Sequence, residues 1–183
     1  MFIFAHLGIG TQLAKIRKKQ LPLTGIYLGA LGPDLIDKPL YYGSRWLGET
    51  AKPWTDWITC TRTLGHTALF WLSIFLMSKY ISGISTTKRR LLQAMVVGAM
   101  THLFLDLLSD AYFYHIRTLN SEVEPSSLVA LLYPLYLSHF SPMPFEAFLQ
   151  HGASLINPFT LFAEILGIYF LISERFKPDN EST

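Results

Sequence analysis

Long uncharged apolar tracts, each broken by one or two ionisable residues, most constrain this chain. Thr63 to Ser78 carries no charge except any on His66, and Leu91 to Leu105 is interrupted only by His102. Phe159 to Ser173 is interrupted only by Glu164. These tracts outrun a strand, and β-type alternation is weak, so they read as helices. The expected helices are Phe2–Lys15, Leu21–Gly32, Thr63–Tyr80, Lys88–Asp110, Ser126–Leu137 and Pro158–Arg175. The resulting fold class is all-α, a bundle of five to six helices. Asp34 to Arg62, rich in Gly, Pro, Trp and charge, reads as a long structured loop after the second helix. Thr118 to Pro125 also reads as a loop, and "FSPMPFEAF" cannot be continuous helix because of its two prolines. One domain is expected over residues 1–176, with a disordered tail over residues 177–183.

The greasy character goes beyond the helices. Of 183 residues only 15% are charged, against about 25% in an ordinary soluble domain. A span needs about 20 apolar residues, and the three tracts each approach that length with one polar flaw. Membrane embedding, with the lipid bilayer as partner, is therefore preferred over a greasy soluble bundle. A net charge of +2 and the lack of a broad basic groove argue against nucleic acid as a partner. The single cysteine, Cys60, excludes an intrachain disulfide and a Cys-rich zinc site. The start "MFIFAHLGIG" has no positive n-region, so it reads as a retained helix.

Ionisable residues in such surroundings need a reason. His102 and Asp106 are four apart and share one helix face, a common way to offer two ligands to a divalent cation. A histidine bonded to its own helix neighbour is the ordinary alternative. Asp34 follows Gly-Pro in "GALGPDLIDKP", with Asp37 one turn later; the alternative for Asp34 is a helix cap. His66 sits at the mouth of an apolar helix, with Arg62 one turn before it. His6 lies in the apolar first helix. Taken singly, each has a plain structural explanation. Together they supply imidazoles and carboxylates enough for one or two metals.

Charge placement offers a check. Lys15, Arg17, Lys18 and Lys19 form one basic cluster, and Lys79, Lys88, Arg89 and Arg90 another. The positive-inside rule puts both on the cytoplasmic side. His6, Asp34, His66, His102 and Asp106 then all fall at the opposite end of their helices. Trp46, Trp54, Trp57 and Trp71, with Tyr41 and Tyr42, suit either an interfacial belt or an aromatic core.

The ordered set His6, "GPDLID", "RTLGHT" and "THLFLD" resembles the YdjM-like family of membrane-bound metal-dependent hydrolases. The resemblance rests on motifs in about the first 110 residues. It implies a bacterial inner-membrane protein with hydrolase activity and a divalent metal, most simply one or two zinc ions. The pattern is more distantly similar to the all-α zinc-dependent phospholipase C and nuclease fold. That likeness implies a bridging role for Asp106. It also makes Glu164, in "TLFAE", a further ligand or base, although Thr160 stands where that fold has a histidine. A glutamate facing a polar gap between helices is the other reading of Glu164. His115, His139 and His151 match no motif and read as loop or interfacial residues. The expected metal ligands are thus His6, Asp34, His66, His102, Asp106 and Glu164. Asp34 or Asp37 would accept a proton from water, and Arg62 would hold a substrate phosphate. Arg62 reads equally as a surface or headgroup-facing residue. The expected substrate is a phospholipid or lipid-linked phosphoester at a site facing the non-cytoplasmic side. The competing reading is a non-catalytic membrane protein whose His/Asp cluster binds metal or relays protons.

Overall fold

The computed structural model describes residues 3–15, 21–48, 57–58, 60–112, 126–135, 140, 156 and 158–176. All of their regular structure is helical. The helices are α1 (Ile3–Lys15), α2 (Leu23–Leu47), α3 (Ala68–Tyr80), α4 (Thr86–Tyr112), α5 (Ser126–Leu132) and α6 (Pro158–Arg175), with a 3-10 turn at Leu64–His66. The all-α expectation is met, and α1, α4 and α6 fall close to their expected bounds. The expected loop Thr118–Pro125, the tail 177–183, the basic residues Arg17, Lys18 and Lys19, and Trp54, His115, His139 and His151 lie outside the described residues.

The second helix departs most from expectation. It does not end at Gly32 but runs through Pro33 and Pro39 to Leu47, so residues 34–47 are helix rather than loop. Each proline removes one intrahelical donor and normally breaks a helix. Here tertiary packing overrides that local preference: α2 lies along α4 in the most extensive helix pairing among the described residues, and past Pro33 the Asp37 side chain is anchored on the turn at Thr63–His66. Termination waits for Gly48, whose φ of 65° is left-handed.

Two other ends are set locally. The apolar tract from Thr63 does not start as α-helix. Residues 64–66 form the 3-10 turn, and Thr67 then caps α3 by accepting Phe70 N–H at 3.1 Å. Thr67→Ala should lower stability by about 1 kcal/mol, read as a shifted denaturation midpoint. The fifth helix stops at Leu132 rather than Leu137, two residues before Pro134, which cannot donate to continue it.

Glycines set how closely the helices approach. A Cβ on Gly98 would lie 2.2 Å from Ile26 O, and one on Gly29 would lie 1.9 Å from Met95 O. The same device joins α1 to α6, where a Cβ on Gly8 would meet Gly167 O at 2.0 Å. No side chain fits at these contacts, so backbone rests on backbone.

The interior is unusually polar. Its largest fully buried side chains include His6, His66, His102, Thr11, Thr63, Thr160 and Asp37 beside Trp71 and Ile26. Small apolar clusters flank them, such as Ala5, Leu105 and Ala163, or Trp71, Ala99 and Leu103. Apolar side chains are instead abundant outside: Leu69, Leu72, Phe75 and Met77 on α3, and Leu161, Phe162, Ile165 and Ile172 on α6, are exposed. An exterior this apolar suits contact with lipid or another protein. Among the described residues, α4 alone is long and apolar enough to cross a membrane, while α3 is apolar but shorter. The described tryptophans differ in burial. Trp71 is core, its indole N–H donating to Gly65 O at 2.7 Å, whereas Trp46 is 86% exposed.

Candidate metal centre

The polar interior is built where α1, α2, α4 and the 3-10 turn meet. The first helix contributes His6, the second Asp34 and Asp37, the turn His66, and the fourth His102 and Asp106. Five of the six expected ligands converge. His6, His102 and Asp106 offer donor atoms all within 4.8 Å of one another, and so do Asp34, His66 and His102. His6 and His102 stack with ring centroids 3.8 Å apart.

Asp106 is the hub. Its Oδ1 lies 3.5 Å from His6 Nε2, and its Oδ2 lies 3.5 Å from His66 Nε2 and 3.6 Å from His102 Nε2. These gaps exceed a hydrogen bond. They match the separation of about 3.3–3.4 Å between donors placed tetrahedrally at zinc–nitrogen and zinc–oxygen lengths. Asp34 Oδ1 lies farther from His66 Nε2, at 3.9 Å.

The outer nitrogens of two imidazoles are already committed. His66 Nδ1 lies 2.7 Å from Asp37 Oδ2, and His102 Nδ1 lies 2.6 Å from Ala30 O. A carbonyl and an ionised carboxylate can only accept, so both Nδ1 atoms carry a proton, and in the neutral form of each ring Nε2 presents its lone pair inward. Those inward atoms, and both nitrogens of His6, are buried without a hydrogen-bond partner among the described residues. Each such orphan costs about 1–3 kcal/mol, and the three Nε2 atoms that face Asp106 call for a common compensating partner. Imidazoles oriented from behind by a carboxylate or carbonyl, with bare nitrogens converging on a carboxylate, are the usual donor set of a divalent transition metal. The residues therefore fit such an ion.

Asp37 is not available as the proton acceptor expected from sequence. It is fully buried and accepts from Thr63 N, Thr63 Oγ1, Gly65 N, His66 N and His66 Nδ1 at 2.7–3.1 Å. Those donors occupy its lone pairs. Asp37 instead fixes both the 3-10 turn and the His66 ring. Gly65 is needed beside it, since a Cβ there would approach Pro33 O to 2.7 Å.

Arg62, expected to grip substrate phosphate, is engaged inside the protein. Its Nη1 donates to both Asp110 oxygens at 3.0 and 2.8 Å, and its Nε lies 3.3 Å from Asp106 Oδ2. Burial disfavours its charge, but Asp110 and Asp106 more than restore it, so the guanidinium pKa is raised above its ordinary value. Asp110 also accepts Ser127 N–H at 3.0 Å, tying α5 to the same pair. Sequence reasoning missed Asp110, although its place one turn beyond Asp106, and two beyond His102, was the available signal. It missed Lys38 as well, whose Nζ lies 2.6 Å from Asp34 Oδ2.

Glu164 does not join either donor set. Its Oε2 accepts Phe4 N–H at 3.0 Å, at the first turn of α1, where orphan amides and the helix dipole favour an anion. Its position on α6 places it against α1, and the lone-glutamate reading accounts for this contact.

An all-helical bundle with an apolar exterior and a buried imidazole–carboxylate cluster defines the class of protein. The chain belongs to the YdjM inner membrane protein family, whose family model matches residues 1–171. The match extends well past the motifs, which end near residue 110. It accords with the exposed apolar surface and with α4, which is long and apolar enough to cross a membrane. No curated protein and no solved structure matches the chain.

Proposed function

We propose that this chain is a metal-dependent hydrolase of the bacterial inner membrane, acting on a lipid or lipid-linked phosphoester. The observation that carries the reading is the convergence of bare, buried ring nitrogens of His6, His66 and His102 on Asp106, two of the rings being oriented from behind. Zinc, as one or two ions, suits nitrogen and carboxylate donors. When bound it supplies Lewis acidity that activates water and stabilises phosphoryl charge.

The protein's own residues divide the remaining work. His6, His102 and Asp106 would hold an ion at one position, and Asp34 and His66 would hold one at the other. His102 serves both donor sets but has a single inward lone pair, so two ions would divide the remaining donors between them. Asp34 keeps solvent access, with its side chain 22% exposed. That makes it the carboxylate able to take a proton from attacking water. Asp37 and Arg62 act from behind, the first on His66 and the second on Asp106.

The connection between α3 and α4 supports a non-cytoplasmic site. Lys79, Lys88, Arg89 and Arg90 cluster around the turn joining these helices, whereas His66 and Asp106 lie near their other ends. With the basic turn in the cytoplasm, the cluster faces away from it.

Elemental analysis of detergent-purified protein, paired with hydrolysis of short-chain phosphodiesters, tests the reading. Stoichiometric zinc with turnover is expected. The internal pairing of Arg62 favours a second reading, a metal-binding or proton-relaying membrane protein without catalysis, and metal without turnover would select it. Asp37→Asn should weaken metal binding about 10–100-fold, measured by competition with a chelator, because the amide offers His66 Nδ1 a poorer acceptor.

A further inference from the structure

The pairing of Arg62 with Asp110 and Asp106 reopens the question of which cation meets an anionic substrate. The second helix supplies an answer beyond the metal ligands. Asp34, Lys38, Tyr41, Tyr42 and Arg45 recur at spacings of three and four, so they share one face of α2. Lys38 stands one turn from Asp34 and holds its Oδ2, while Asp34 Oδ1 points toward His66. The Lys38 side chain is 41% exposed. Its ammonium has three donors and spends one on Asp34, leaving others for a ligand. Two turns further on, exposed Arg45 lies over the Tyr41 ring at 5.3 Å. Trp46 is 86% exposed beside it.

This face changes character along its length. At its inner end it touches the imidazole–carboxylate cluster. Its outer end carries a guanidinium and amphipathic aromatics, the residue types that settle where hydrocarbon gives way to headgroups. Continuity with the cluster and positive charge beside interfacial aromatics both favour a phosphate carried on a lipid over one free in water.

We propose that the α2 face bearing Lys38 and Arg45 is a binding track for the phosphate of a lipid headgroup, with Lys38 delivering it to the cluster. The assignment of a lipid phosphate as the substrate group rests on the hydrolase reading. Lys38 is thereby a specificity-determining residue, and Arg45 with Trp46 its outer extension.

The test is calorimetric titration of the detergent-purified full chain with dihexanoyl phosphatidate and, separately, with inorganic phosphate. Metal content is measured on every sample. Dihexanoyl phosphatidate should bind at least tenfold more tightly than inorganic phosphate. Lys38→Ala should weaken both ligands about tenfold, and Lys38→Arg should restore most of the loss. Arg45→Ala and Trp46→Ala should weaken only the lipid phosphate, by about threefold. Metal content should stay at the wild-type level throughout. Unchanged binding in Lys38→Ala would overturn the proposal, as would loss of metal in that variant, which would make Lys38 a support for Asp34 alone. Equal affinity for the two ligands would overturn the lipid source. A wild-type chain without metal would defeat the hydrolase reading alone, because dependence of phosphatidate binding on Lys38 is still measurable on that protein.

Discussion

Asp106→Ala is expected to lose stoichiometric metal, with affinity reduced more than about a hundredfold, beyond the 10–100-fold cost typical of disturbing an outer partner. The reason is geometric. Asp106 is the one carboxylate facing all three imidazoles, His6 through Oδ1 and His66 and His102 through Oδ2. No other carboxylate in either donor set does so. The substitution leaves Arg62 paired with Asp110, so the loop and α5 keep their anchor and the chain should remain folded. Asp106→Asn should fail almost as badly, because an amide oxygen carries no full charge to offset the cation. The measurement is metal content after dialysis, with helicity as the folding control. Equal metal in wild type and variant would remove Asp106 from the centre and the proposed activity with it.

Much of this centre was legible before the fold. His102 and Asp106 fall on one face at any helical spacing, and the basic clusters placed five candidates at common helix ends. The packing of α1, α2, α4 and the 3-10 turn then turned common depth into contact. Roles were less legible than positions. Asp34 and Asp37 look equivalent in "GPDLID", but a helix continuing through Pro33 turns Asp37 into the interior and leaves Asp34 at the edge. Beyond Pro33 the helix is tied to the turn at Thr63–His66 through Asp37, 26 to 29 residues away in sequence, a contact that no local rule for proline contains. Arg62 misled for a similar reason: its partner Asp110 lies 48 residues on, and only the fold brings them together. Glu164 was proposed through a likeness in motif, whereas in the fold its Oε2 accepts a backbone N–H at the start of α1.

Gly98→Val is expected to cost more than about 3 kcal/mol, or to prevent folding, and to remove metal binding in any protein recovered. The clash is with backbone: a Cβ at residue 98 would stand 2.2 Å from Ile26 O and 2.8 Å from Ala30 N. No rotamer relieves it, so α2 and α4 must move apart. Ala30 is also the residue whose carbonyl accepts His102 Nδ1–H, and His102 lies one turn beyond Gly98. Separation of the helices thus releases the ring that presents its other nitrogen to the cluster. Gly43→Ala is the matched control. It lies on α2, the partner helix, with nothing within 4 Å of the added Cβ, and should be neutral or stabilising by up to about 1 kcal/mol. If both glycine variants fold with wild-type stability and metal content, close α2–α4 contact does not set the site. If only Gly98→Val fails, the small residues of "GAM" and "YLGALGP" belong to the metal centre as firmly as the histidines do, because they fix the distance across which those histidines can act.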